Sequence, residues 1–292
     1  MLRLCAADHG YTIKKLEKIL ELGADVNFRT PVGMTALHLA CGTGKPNFIQ
    51  LLLDAGADIE ARDPDGRTAL HIAILGSNKA IEILIDNGAN MEPKDNFGKT
   101  PFYYACERGK VGAVKTLCNS GANTRVLTPA GTGMVGLMLD SMSACFVSNT
   151  LQMLRILIKS GADVNNVELK TGDTEVHKAA KYIKAWRNAK GSMEPIKILI
   201  RAGGDPWQKN NAGESAFHYI NEEELKDLNK ILTKYIKGNE NRIVKNIFTE
   251  IELKAYYFNQ SKMSKSNIYD MLRADSPAKK KFNLLKELPS KT

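Results

Sequence analysis

The chain has 292 residues, 43% of them hydrophobic and 25% charged, which supplies a sizeable core and excludes a disordered polymer. Its net charge is +9, but residues 237–292 hold 12 Lys/Arg against 6 Asp/Glu, so +6 sits in that segment and only +3 in everything before it. No apolar run approaches the roughly 18 residues of a membrane span, the first ten residues lack the apolar core of a signal peptide, and five cysteines with no C-x-x-C pair read as reduced thiols; a cytoplasmic or nuclear protein is expected.

Along the chain, Gly23-Ala24-Asp25 returns as Gly56-Ala57-Asp58, Gly88-Ala89-Asn90, Gly121-Ala122-Asn123, Gly161-Ala162-Asp163 and Gly203-Gly204-Asp205, at intervals of 33, 32, 33, 40 and 42 residues. A second marker keeps the same phase: GMTALHLA from Gly33, GRTALHIA from Gly66, GKTPFYYA from Gly98, GDTEVHKA from Gly172 and GESAFHYI from Gly213. Two markers in one phase identify an internal repeat. Within it, Thr35, Thr68 and Thr100 are placed to cap helices that begin at Ala36, Ala69 and Pro101. After a polar break a second apolar-periodic segment follows, such as NFIQLLLDAG, and its terminal Gly suits the left-handed residue that ends a helix. Ala40, Ala73, Ala105 and Ala179 fall at one helical phase, where small side chains let helices approach, with Leu37 and Leu70 filling the space beside them. Each unit reads as helix, turn, helix, loop.

These markers, DPDGRTALHIA and GADVN above all, give the sequence its resemblance to the ankyrin-repeat family. The resemblance implies an all-α fold: an α-solenoid of about seven helix-turn-helix units with β-hairpin loops and a helical C-terminal cap. The array would occupy residues 1–236, with long repeats at 128–168 and 169–209, and the basic cap and tail residues 237–292. It also implies that His38, His71, His177 and His218, which share one slot of the unit, brace the loops between units through hydrogen bonds.

Gly131, Gly133 and Gly136 fit the G-x-G-x-x-G spacing of dinucleotide loops. No apolar strand precedes them, no acidic residue follows at the required distance, and Gly131 falls 33 residues after Gly98, so they read as a worn repeat boundary. No metal-spaced Cys/His cluster, nucleophile elbow or P-loop occurs. The expectation is no catalytic residue, no metal, no cofactor and no small-molecule substrate.

A solenoid leaves one long flank free for binding. The residues that packing does not dictate lie at the loop tips and beside them: Arg29, Arg62, Asp65, Arg67, Phe97 and Lys99, with Glu107 and Arg108 closing the first helix of their unit. Phe97 reads either as an anchor for a partner or as a side chain leaning on the next loop. In the long units, Lys178, Lys181, Lys184, Arg187 and Lys190 recur every three residues beside Tyr182 and Trp186, a cationic stripe that suits an acidic protein surface or a phosphate-rich ligand, or else a solvated helix face with its aromatics turned inward. Lys181, Lys184, Trp186 and Arg187 join the candidate protein-binding residues. Met134, Met138, Met142 and Met153 read as core filling or an adaptable surface, and Trp207 as a cover for the start of the tail or an exposed anchor. No groove-reading module accompanies the charge, so protein is expected as the partner rather than nucleic acid.

After residue 220, NEEELKDLNKILTKYIKG has acids first and lysines last, as the helix dipole favours, and NRIVKNIFTEIELKAYYFNQ reads as an amphipathic helix. The sequence thus points to a non-enzymatic protein-protein interaction scaffold. The second reading is a ubiquitin-ligase substrate adaptor or host-directed effector that recruits machinery through its C-terminal tail.

Overall fold

Helix starts follow from local chemistry repeated down the chain. Thr35, Thr68 and Thr100 hold an extended backbone just ahead of the helices α2 (Ala36–Gly42), α4 (Ala69–Ala73) and α6 (Pro101–Glu107). The hydroxyls of Thr35 and Thr100 accept from the backbone N–H three residues on. The computed structural model of the chain describes residues 13–128, 130–141, 147–185, 193–221, 223–225, 227–228 and 231–232. It divides into two compact units, residues 1–170 and 171–292, and that division falls inside the array expected over 1–236. The expected helices of residues 239–292, and most of the one expected from 221, lie outside the described residues.

The first unit opens with α1 (Ile13–Glu21), and three outer helices follow the inner ones already named: α3 (Pro46–Asp54), α5 (Asn78–Asp86) and α7 (Val111–Asn119). A fourth pair is α8 (Met134–Asp140) with α9 (Val147–Lys159). Inner helices pack on inner ones, α2 on α4 and α6 on α8, while the outer helices form their own row from α1 to α9. The shared small positions make this approach feasible: Ala40, Ala73 and Ala105 are fully buried beside Leu37, Leu70 and Phe102. Met134, Met138 and Met153 are buried too, so these three methionines fill core rather than forming an adaptable surface. The second unit contains α10 (Glu175–Ala185), α11 (Glu194–Arg201) and a 3-10 turn at Ala216–Tyr219. Its inner helix α10 has 11 residues where α2 and α6 have 7, so part of the insertion seen in the sequence extends this helix.

The connections project as fingers. Each is a five-residue turn closed by two backbone bonds: the N–H groups of Thr30, Asp63, Asp95 and Thr128 donate to the carbonyls of Met34, Arg67, Lys99 and Thr132 at 2.8–3.0 Å, and their own carbonyls accept from Gly33, Gly66, Gly98 and Gly131 at 2.8–3.0 Å. The β-hairpins expected here are this short: among the described residues isolated bridges form at Leu127 with Gly133 and at Val167 and Thr174, and no strand develops. Fingers also touch each other, the Asn96 N–H donating to the Asp65 carbonyl at 2.9 Å. At the bases of the fingers, Asn27, Glu60 and Glu92 take one role in successive repeats. A side-chain oxygen of each accepts the backbone N–H of Asp58, Asn90 and Asn123 respectively, at 2.7–2.8 Å, which ties each repeat to the next.

Gly66 closes its finger with φ +77°, and a Cβ there would lie 2.9 Å from the Asn96 backbone nitrogen. Gly66→Ala therefore combines left-handed strain with a clash against the next finger. It is expected to lower stability by about 1–3 kcal/mol, read as a shift in the urea midpoint; an unchanged midpoint would show that the fingers are not coupled.

Candidate partner-binding face

The histidines come first because they set the fingers relative to the inner helices. His38, His71 and His177 are buried, and the Nδ1 of each accepts from the backbone N–H of Thr35, Thr68 and Thr174 at 3.1–3.3 Å. The opposite ring nitrogen reaches the carbonyl of Arg67, Lys99 and Glu214 in the next finger at 3.0–3.2 Å. A carbonyl only accepts, so Nε2 carries the hydrogen and the rings are neutral. Burial pushes all three below the ordinary histidine value, against the opposing pull of those carbonyls. His218, in the same slot, departs from the expected bracing role: its side chain is exposed and its Nε2 lies 3.1 Å from Glu214 Oε1.

The third repeat has no histidine in that slot; Tyr103 stands there instead. Around it the inner helix α6 carries an ordered polar and aromatic group. Lys99 Nζ lies 2.9 Å from Glu107 Oε1, 4.6 Å above the Tyr103 ring and 5.4 Å from the Tyr104 ring. The Tyr104 hydroxyl donates to Asp95 Oδ2 at 2.7 Å. Its own pKa is pushed up to about 12, by burial first and by that bond second. Burial would raise the Asp95 carboxyl, but the bonds from Tyr104 and from the backbone N–H groups of Lys99 and Phe97 outweigh it and hold Asp95 below the usual range. One finger earlier, Arg67 is tied to Asp63 at 2.8 Å and to Asp65 at 2.9 Å. Arg108, 57% exposed, sits 4.0 Å from Glu107.

Phe97 at the finger tip is 65% exposed, so of its two sequence readings the geometry favours the one in which it is free of the next finger. Val32, at the same tip position two repeats earlier, is 66% exposed. Arg29 and Arg62 hold the fingers together: Nη1 of Arg29 donates to the Gly33 and Arg62 carbonyls, and Nη1 of Arg62 to those of Gly66 and Lys94. The structure thus brings Arg29, Arg62, Asp65, Arg67, Phe97, Lys99, Glu107 and Arg108 together on the fingers and inner helices of the first unit.

The cationic stripe of the second unit is a different matter. Lys178 and Tyr182 are buried, because α10 turns that side inward. Lys181 is paired with Asp173, and Lys181 and Lys184 stand 5.1 and 5.7 Å from the Tyr219 ring. Trp186, Arg187 and Lys190 lie outside the described residues. Asp173 and Lys181 occupy the slots that Lys99 and Glu107 hold in the third repeat, eight residues apart in both cases, with the charges exchanged. That spacing was the signal by which the sequence could have disclosed both pairs. Tyr103 was likewise legible as a departure from a run of histidines, whereas the role of Tyr104 shows only in the contact with Asp95.

The three glycines of the G-x-G-x-x-G spacing serve the repeat. Gly131 turns a finger at φ +79°, Gly133 caps α8 and Gly136 is buried within it.

Comparison with known proteins agrees with this geometry. The family model described as ankyrin repeats, in three copies, matches residues 2–95 and 76–128. No curated protein matches the sequence. Among solved structures, the ankyrin repeat domain of Bcl-3, a member of the IkappaB protein family, is similar with a TM-score of 0.60 and 24% identity, over 75% of this chain and 91% of that one. An ankyrin repeat domain from Acinetobacter baumannii AYE is similar with a TM-score of 0.59 and 25% identity, over 70% of this chain and 96% of that one. With 526 solved chains matching, the likeness fixes the architecture and leaves function to the individual surface.

Proposed function

The chain is an ankyrin-repeat protein, and we propose that it is a non-enzymatic scaffold that holds one or more protein partners on its fingers and inner helices. The observation that carries this reading is the exposed Phe97 beside an already ordered group of Lys99, Tyr103, Tyr104, Glu107 and Arg108. Aromatic and arginine side chains held rigid before binding lose little entropy on contact and are the types that dominate protein interfaces. The chemistry of the buried groups favours binding over catalysis. His38, His71 and His177 are committed to carbonyls, and burial pushes the Cys106 thiol far up, away from the reactive thiolate.

Proteins that co-purify with the full chain test the reading. Phe97→Ala and Arg108→Ala remove exposed side chains, so Tm is expected to stay unchanged while each weakens partner binding about tenfold or more. Full retention of every partner by the double variant would place the interface elsewhere.

A further inference from the structure

Building on that reading, we infer that the partner contributes an extended acidic segment, with carboxylates on every third residue, that crosses the fingers over Arg29, Arg62 and Lys94. These three cations occupy one slot of consecutive repeats. Arg29 and Arg62 spend only Nη1 on carbonyl oxygens. Those bonds fix each guanidinium in place and cancel none of its charge, and they leave Nε and Nη2 as a preformed fork of the kind that grips a carboxylate. Lys94 is exposed, and only its carbonyl is used, by Arg62. Among the described residues no carboxylate forms an ion pair with Arg29, Arg62 or Lys94; Asp63 and Asp65 reach Arg67 instead, and Asp95 accepts from Tyr104. The row therefore keeps its positive charge.

Its spacing sets the partner's shape. Each finger is two chain limbs wide and bonded to the next, which places equivalent residues about 10 Å apart, the same pitch at which helices stack. A segment in the extended polyproline II conformation has three residues per turn and rises about 3.1 Å per residue, so every third side chain returns to the same face about 9 Å further on and meets the next cation. Val32 and Phe97, exposed two repeats apart, would meet apolar residues of the same segment. A phosphate backbone would satisfy the charge but not these apolar tips.

The test uses the full chain and labelled synthetic peptides: one with Glu at every third position among Pro and Val, and one of the same composition with its Glu residues adjacent. The spaced peptide is expected to bind at least about tenfold tighter, with an affinity that falls steeply as salt is raised. Lys94→Glu, whose parent side chain holds nothing in place, is expected to weaken the spaced peptide about tenfold at unchanged Tm. Equal affinity for the two peptides, indifference to Lys94→Glu, or tighter binding of an oligonucleotide of equal charge would overturn the inference. If that happens while Phe97→Ala and Arg108→Ala still release co-purifying proteins, the acidic segment is refuted and the scaffold reading stands.

Discussion

Phe102→Ala is expected to lower the stability of the array by about 3–5 kcal/mol, the usual cost of emptying an aromatic site in a packed core. Phe102 takes the slot that Leu37 and Leu70 fill in the preceding repeats and is fully buried. Its helix α6 packs against α4, α7 and α8 at once. In a stack whose units are held by their neighbours, a cavity in the third repeat weakens its own helix pair and both adjoining interfaces. The denaturant midpoint of the full chain measures this, with Phe97→Ala as the exposed control that should leave it unmoved. A loss below about 1 kcal/mol would mean that α6 is not a shared core element.

The second large effect is acid lability. Each buried imidazole accepts the Thr backbone N–H at Nδ1; a proton added there would face a donor, and burial penalises the resulting charge. The folded values of His38, His71 and His177 therefore lie below the 6.5 of the unfolded chain. Above that pH both states are neutral and the stabilisation is complete. As pH falls below it, the unfolded chain takes up protons that the folded one refuses, so stability drops by up to about 1.4 kcal/mol per pH unit for each ring until its folded value is reached. Asp95 and Asp173 have carboxyls held below the usual range, and their contribution is lost only in a separate window, at and below the ordinary carboxyl value of 3.8. Urea midpoints measured from pH 7.5 downward should fall through the histidine window first. A flat profile from neutral pH to pH 5 would contradict the neutral tautomer and the bracing role of the rings.

Much of the fold was legible because each repeat writes the same local chemistry again. A Thr that caps, a His three residues later and a Gly that turns left-handed constrain the backbone over a few residues, and that is what a sequence displays. The Asn27, Glu60 and Glu92 ties were hidden because two residue types serve the same purpose, each presenting an oxygen at the needed reach. The orientation of Lys178, Lys181 and Lys184 was hidden for a related reason. Periodicity shows that side chains share a helix face but not which way the face turns, and α10 turns Lys178 inward while Lys181 meets Asp173. Arg29 and Arg62 looked like free tip residues, since nothing in the sequence announces that Nη1 would settle on the carbonyls of two successive fingers.

Site-specific photo-cross-linking in cells tests the proposed interface most directly, because it works whatever the partner's identity. A benzophenone side chain placed at Phe97, on a finger tip, is compared with one placed at Glu82, on the outer helix α5. Capture of a distinct protein from position 97 and not from position 82 is the expected result. Capture from position 82 alone would contradict a binding surface made of fingers and inner helices.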